Sequence, residues 1–382
     1  MSTRVTVSGQ LLAWASERSR LSSDDLVAKF PKLDEWVAGT TLPTLKQLES
    51  FATATHTPVG YLFLTEPPAE PLPMHDFRTR GTRAVRAASP NLLDTIYECE
   101  ARQEWYHDFA IANGEEPSKV VGSVSIDRDP VAAGSAIRAL LHFEPGSRGS
   151  SWSEAFRRLS EQAEEVGILV MTSGIVGSNT HRRLDPQEFG GFTLVDPLAP
   201  VVFVNGADTK AAQIFTLAHE LAHVWLGGSA LDDAQPGLGE NQAIERWCNT
   251  VAGELLVPGS AVAERTLGPL DPDELDALAA EFRVSTLVVL RKLLDVGRLT
   301  EKMYWARYHD ERARLAELVE GSDRGSGGNF YNTQPVRASK RFTRALVTDT
   351  LEGRTLYRDA FRMLGFKKES TFTELAHRIG VI

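Results

Sequence analysis

Along most of this chain, apolar residues recur every three or four positions, which is the spacing of amphipathic helices. After Gly167 the pattern changes to short apolar runs rich in β-branched and aromatic residues, which is typical of buried strands. The predicted helices cover residues 8–18, 91–112, 130–141, 152–166 and 304–319. The predicted strands cover residues 168–171, 192–195 and 201–205. The patterns therefore predict an α+β protein in which a few short strands are flanked by helical regions.

Composition changes divide the chain further. Four prolines fall within 67–73 and predict a stiff extended linker, and a Gly/Ser-rich run at 321–328 predicts a flexible one. The expected segments are a helical module at 1–66, a linker at 67–88, a helical lead-in at 89–166, a core of strands and apolar helices at 167–265, further helices with a helix-turn-helix-like pattern at 266–320, and a basic helical region at 329–382.

The strongest chemical signal is His219-Glu220-x-x-His223, which lies in the apolar stretch 215–226. Residues four apart share one face of a helix, so both imidazoles can bind one metal ion, and zinc is the natural occupant. Glu220 is then placed to take a proton from a zinc-bound water. Gly227 and Gly228 are expected to end the helix.

A third protein ligand is expected from a second helix over 244–258. Glu245 and Asn249 are four residues apart and share a face, whereas Glu254 lies about half a turn round from Glu245. We expect Glu245 to be the ligand, with Glu254 as the alternative and Asn249 orienting a ligand. Cys248 lies close to the Glu245 face, but a small buried thiol is its more ordinary role.

These residues carry a resemblance to a known family. The run Gln213 to His223, the segment Glu245 to Asn249 and the sequence Glu254-Leu255-Leu256-Val257-Pro258 together resemble the ImmA/IrrE metallopeptidases. The resemblance implies a zincin-like core, one zinc ion held by His219, His223 and Glu245, and Glu220 as general base. It also implies a limited cut in a regulatory protein, often a helix-turn-helix repressor or an antitoxin, under stress or phage-related control.

Two regions raise the question of DNA binding. The pattern Trp36-x-x-Gly39 followed by Pro43-Thr44-x-x-Gln47 resembles an Xre-type helix-turn-helix, although Asp34 and Glu35 at its recognition helix would repel phosphates. The region 329–382 carries ten basic against five acidic residues and is the best electrostatic candidate for a nucleic-acid or acidic-protein contact. For the N-terminal region the alternative is a helical module used for contacts within the protein or with a partner, and for 329–382 it is a solvated helical cap with its apolar residues inside.

Charge and cysteine content set the remaining expectations. The net charge of −10 argues against non-specific coating of nucleic acid, and only two cysteines, Cys99 and Cys248, argue against a disulfide framework. No apolar run has the length of a membrane span or signal sequence, so we expect a cytoplasmic protein without membrane contact. The competing function is a DNA-binding regulator or interaction scaffold whose zinc is structural or sensory.

Overall fold

The computed structural model describes residues 3–70, 88–227, 238–263, 265, 270–320 and 337–382. The chain divides into two compact units, Met1–Tyr97 and Glu98–Ile382. Most of the predicted linker at 67–88, and the predicted linker at 321–328, lie outside the described residues. No described helix is both long enough and apolar enough to cross a lipid bilayer.

Within residues 3–70, four short helices surround a small apolar core. They are α1 (Gly9–Ser19), α2 (Ser23–Lys29), α3 (Leu33–Val37) and α4 (Leu45–Ala54), followed by a 3-10 turn at Val59–Phe63. Thr44 and Gln47 form a capping box at the start of α4, which fixes where that helix begins. The core includes Leu12, Trp36 and Phe51, so the apolar positions of this module are used for packing.

Helix α5 (Pro90–Ala112) contains the boundary between the two units. In the second unit it is followed by α6 (Pro130–Leu140), a 3-10 turn at Pro145–Ser147 and α7 (Trp152–Glu165). Asp129 and Ser151 cap the first turns of α6 and α7 through their side-chain oxygens. These caps explain why the helices start close to the predicted positions.

Three strands form one small sheet, in the order β1-β3-β2. The strands are β1 (Leu169–Ser173), β2 (Gly191–Leu194) and β3 (Val201–Asn205). β1 is parallel to β3, with Leu169 opposite Val201, and β2 is antiparallel to β3, with Phe192 opposite Phe203. Among the described residues no further strand pairs with β2, which therefore forms an edge of the sheet.

Helices cover both faces of the sheet. Val170, Val202 and Val204 pack into the main core together with α8 (Lys210–Leu226) and α9 (Leu238–Leu256). On the other face, Arg102 of α5 contacts the sulfur of Met171. The side chain of Gln103 donates hydrogen bonds to the carbonyl oxygens of Leu194 and Ala199.

After α9, the regular secondary structure of the described residues is helical. The helices are α10 (Gly259–Ala263), α11 (Pro272–Phe282), α12 (Thr286–Asp295), α13 (Glu301–Glu320), α14 (Lys340–Leu351), α15 (Tyr357–Leu364) and α16 (Glu369–Arg378). The apolar faces of α11 and α12 belong to the main core, so this helix-turn-helix-like pair serves packing. The observed mixture of helices and one small sheet is the predicted α+β fold.

Candidate metal centre

Helix α8 begins at Lys210, five residues before the apolar stretch recognised in the sequence, because the Thr209 hydroxyl accepts a hydrogen bond from the backbone of Ala212. It ends at Gly227, as expected, with φ +61°. A β-carbon on Gly227 would lie 2.2 Å from the α-carbon of Gly122, so only glycine fits this end of the helix. The helix bearing His219 and His223 is therefore fixed at both ends.

Helix α9 packs against α8 on one side and α6 on the other. Its contact with α6 is very close, because a β-carbon on Gly134 would lie 2.7 Å from the Glu254 β-carbon and 2.8 Å from the Val251 carbonyl oxygen. The buried residues of α9 include Val251 and Leu255, which belong to the main core. This packing turns the face of α9 that bears Glu245 toward α8.

The structure brings His219, His223 and Glu245 together at one point. The two Nε2 atoms are 3.1 Å apart. Oε2 of Glu245 lies 3.3 Å from Nε2 of His219, and Oε1 lies 3.2 Å from Nε2 of His223. Among the described residues, this is the one group of three or more His, Cys, Asp or Glu side chains whose ligand atoms all lie within 4.8 Å of one another.

The donor set fits a divalent metal ion such as zinc. Nδ1 of His219 is 3.1 Å from Oδ1 of Asn249, so the amide oxygen accepts the Nδ1 proton and leaves the lone pair of Nε2 for a ligand bond. Oε1 of Glu245 is buried and accepts no hydrogen bond, despite its closeness to His223. Two imidazole nitrogens and a carboxylate oxygen directed at one shared point are the ligands that zinc prefers.

The charges at the site follow from this convergence. Burial by itself would raise the pKa of Glu245, but the close approach and the charge attraction of His219 and His223 outweigh it and lower the pKa to about 2. Burial of His219 acts to lower its pKa, whereas the hydrogen bond to Glu245 and the charges of Glu220 and Glu245 raise it overall. The carboxylate of Glu245 therefore favours a positive charge at this point, which a metal cation would supply.

Glu220 lies on the same helix, 9% exposed, beside the edge strand β2. The hydroxyl of Thr193 on β2 is 2.8 Å from Oε2 of Glu220 and 3.1 Å from its backbone carbonyl oxygen. Thr193 is not among the site residues predicted from the sequence, because the side of the sheet that a strand residue faces depends on register. The available signal was the Gly190-Gly191 pair at the start of this strand, since glycine in a strand marks a close approach of another part of the backbone or a side chain.

The alternative ligand Glu254 lies elsewhere in the structure. Its carboxylate pairs with Lys292 of α12 and Arg138 of α6, and accepts a hydrogen bond from the backbone nitrogen of Gly259 at 3.0 Å. This position agrees with the half-turn offset from Glu245. Cys248 is fully buried, and burial raises the pKa of its thiol well above the ordinary value, as suits a small packing residue.

Comparison with known proteins finds relatives of the segment that contains the sheet and the helices α8 and α9. The family described as the IrrE N-terminal-like domain, peptidase M78, matches residues 163–294, which include the sheet, α8, α9, α11 and α12. The chain is 30% identical over 214 residues to the radiation response metalloprotease IrrE of Deinococcus deserti, which covers 51% of this chain and 69% of that protein. It is 39% identical over 74 residues to the protein of the same name from Deinococcus radiodurans, which covers 18% of this chain and 23% of that protein.

A helix pair that carries two histidines and a glutamate beside a small sheet is the arrangement of a metallopeptidase. The matches to known proteins then identify the family. This chain belongs to the ImmA/IrrE family of metallopeptidases, as the sequence resemblance predicted. A second family, a domain of unknown function (DUF8813), matches residues 338–378, which contain α14, α15 and α16.

Proposed function

We propose that this chain is a zinc-dependent endopeptidase that makes a limited cut in a regulatory protein. The observation that carries the proposal is the convergence of His219, His223 and Glu245 next to Glu220. The first three would hold one zinc ion, and Asn249 would orient His219. A site of purely structural zinc normally has four protein ligands and has no use for an adjacent general base.

The chemistry divides between the metal and the chain. Bound zinc supplies Lewis-acid chemistry, which makes water nucleophilic at neutral pH and polarises a scissile carbonyl. Glu220 takes the proton of the attacking water and then delivers it to the leaving amine. Its burial beside β2 keeps the carboxylate close to the site while limiting access of bulk water.

The edge strand β2 supports an extended peptide as the substrate. The backbone nitrogen of Asn205 donates to the carbonyl oxygen of Gly190, so residues 190, 192 and 194 bond to β3 in this antiparallel ladder. The backbone groups of Gly191 and Thr193 then point to the outer edge. A substrate segment would add there as a further strand, close to Glu220.

The regulatory role rests on the relatives. Two of them are named radiation response metalloproteases. From that name, we propose a role in a stress response for this chain as well. A helix-turn-helix repressor or an antitoxin is the substrate class that we propose, because cleavage of such a protein converts one proteolytic event into a change of transcription. DNA binding by the N-terminal module or the basic C-terminal region is a separate proposal, which salt-dependent gel shifts with promoter DNA would test.

The test compares the zinc-loaded wild-type chain with Glu220→Gln and His223→Ala. Elemental analysis should find about one zinc per chain in the wild type and in Glu220→Gln, and a loss in His223→Ala. New protein N-termini in a host lysate depleted of the native enzyme should appear with the wild type only, and 1,10-phenanthroline should abolish them. Identical sets of N-termini with the wild type and Glu220→Gln would contradict peptidase activity.

A further inference from the structure

Thr193 makes a contact with Glu220 that no motif records. Its hydroxyl lies 2.8 Å from Oε2 and 3.1 Å from the backbone carbonyl oxygen of Glu220. A hydroxyl has a single proton to donate, and a carboxylate oxygen is the stronger acceptor at the shorter distance. The geometry therefore assigns the proton of Thr193 to Oε2.

Gly191 makes this contact sterically accessible. It lies two residues before Thr193, so both residues face the same side of β2. A β-carbon on Gly191 would lie 2.6 Å from Cγ2 of Thr216 and 3.3 Å from Cγ of Glu220. The absence of a side chain brings β2 close to α8, and the short side chain of Thr193 then reaches the carboxylate.

We propose that Thr193 is a positioning residue that holds Oε2 of Glu220 and so leaves Oε1 as the oxygen that takes the proton. A glutamate side chain has three rotatable bonds, and a carboxylate without a fixed partner samples several orientations. Misplacing a reacting group by about 1 Å can cost a reaction on the order of 100-fold in rate. This inference rests on the proposed peptidase function.

Thr193 would also connect the bound peptide substrate to the general base Glu220. The backbone groups of Thr193 face the outer edge of β2, where an added peptide strand would hydrogen-bond, while its side chain faces α8. Removal of the hydroxyl leaves the backbone groups in place. The expected defect therefore falls on kcat, with KM changed little.

The experiment uses the full zinc-loaded chain with Thr193→Val, which removes the hydroxyl at nearly constant shape, and Thr193→Ser, which keeps it. A randomised pool of internally quenched peptides supplies the activity assay, and its best-cleaved member supplies kcat and KM. Thr193→Val should lose about 10- to 100-fold in kcat with zinc content unchanged, and Thr193→Ser should stay within about threefold of wild type.

A binding measurement gives a second readout that needs no substrate. A hydroxamate such as acetohydroxamic acid binds zinc and donates a proton to a well-placed carboxylate, so its affinity should fall about tenfold in Thr193→Val and persist in Thr193→Ser. If Thr193→Val does not fold, Thr193→Ala takes its place in both assays.

The outcomes separate the two proposals. Wild-type kcat and hydroxamate affinity in Thr193→Val, together with an inactive Glu220→Gln, would overturn the role of Thr193 and leave the peptidase intact. Loss of zinc or an equal defect in Thr193→Ser would also overturn it, because either result indicates a packing role. A wild-type chain that binds zinc but cleaves no better than Glu220→Gln would overturn the peptidase function, and the hydroxamate measurement would still decide the role of Thr193.

Discussion

Lys292 of α12 forms an ion pair with Glu254 of α9 in which the side chains are only 5% and 4% exposed. Arg138 and Ser135 of α6 contact the same carboxylate, at 3.4 and 3.2 Å from Oε1. This buried network joins three helices on the side of α9 that faces away from the metal centre. It explains how the carboxylate of Glu254 is accommodated inside the protein without binding metal.

Replacing Lys292 by Met should destabilise the protein by about 3–5 kcal/mol, because the substitution leaves the Glu254 carboxylate buried with a weaker counter-charge. The free energy of unfolding in urea measures the effect. The double variant Lys292→Met with Glu254→Gln should recover part of the loss, since it removes the unpaired charge. A double variant no more stable than the single one would contradict this account of the pair.

Replacing Asn249 by Ala should weaken zinc binding by roughly 10- to 100-fold, because His219 then loses the acceptor that fixes its tautomer and ring orientation. Competition with a chromogenic chelator measures the affinity. Thr250→Ala is the matched control on the next position of α9, where the hydroxyl bonds only to the Arg246 carbonyl of its own helix. Equal zinc affinity in Asn249→Ala and in the control would rule out an orienting role for Asn249.

Replacing Gly134 by Ala should cost about 1–3 kcal/mol of stability, because the added methyl group would force α6 away from Glu254 and Val251 of α9. Gly253→Ala is the control on α9, since its β-carbon would meet no atom within 4 Å. That variant should be neutral or more stable by up to about 1 kcal/mol, as alanine favours helix. Thermal unfolding of the two variants separates close packing from helix propensity.

Cys99 should resist thiol reagents in the folded protein. Burial is the main reason why the pKa of its thiol is raised to about 12. Because the thiolate is the reactive form, a thiol with a raised pKa reacts slowly. Titration with Ellman's reagent at pH 8 should detect Cys99 and Cys248 only after unfolding. Rapid reaction of either thiol in the folded protein would contradict the buried positions.

The raised pKa of Cys99 also gives a pH dependence of stability. The folded state keeps the thiol protonated until about pH 12, whereas the unfolded chain ionises near the ordinary value of 9.0. The contribution of Cys99 is therefore complete below about pH 9 and is lost as the pH rises toward 12. Urea unfolding of wild type and Cys99→Ala between pH 8 and 11 measures the difference in slope.

The helices and the metal motif could be predicted from sequence because both depend on residues close along the chain. Four-residue spacing places His219 above His223, and Gly227 is a local signal for the end of the helix. The choice between Glu245 and Glu254 was harder, because spacing shows that they occupy opposite faces of α9 but not which face meets α8. Packing of α6 and α12 against α9 determines which of the two faces meets α8. These contacts involve residues distant in sequence, such as Lys292, which pairs with Glu254.

The role of Thr193 could not be predicted for a similar reason. A strand of four residues offers two faces, and a shift of register by one residue would have turned Phe192 toward α8 instead. Only the pairing of β2 with β3 determines which residue reaches Glu220. The segments at 71–87 and 321–336, which carry the predicted linkers, lie outside the described residues.

Two helices that contact α5 on the far face of the sheet come late in the sequence. Phe342 of α14 packs edge-on against Trp105 of α5, and the backbone carbonyl of Met363 in α15 accepts hydrogen bonds from Arg102. During synthesis, the ribosome therefore releases the sheet and the residues proposed to bind zinc before two of the helices that complete their support. A nascent chain would carry His219, His223 and Glu245 while α14 and α15 are still missing from one face of its sheet, which would delay the appearance of a fully formed site until both helices have emerged.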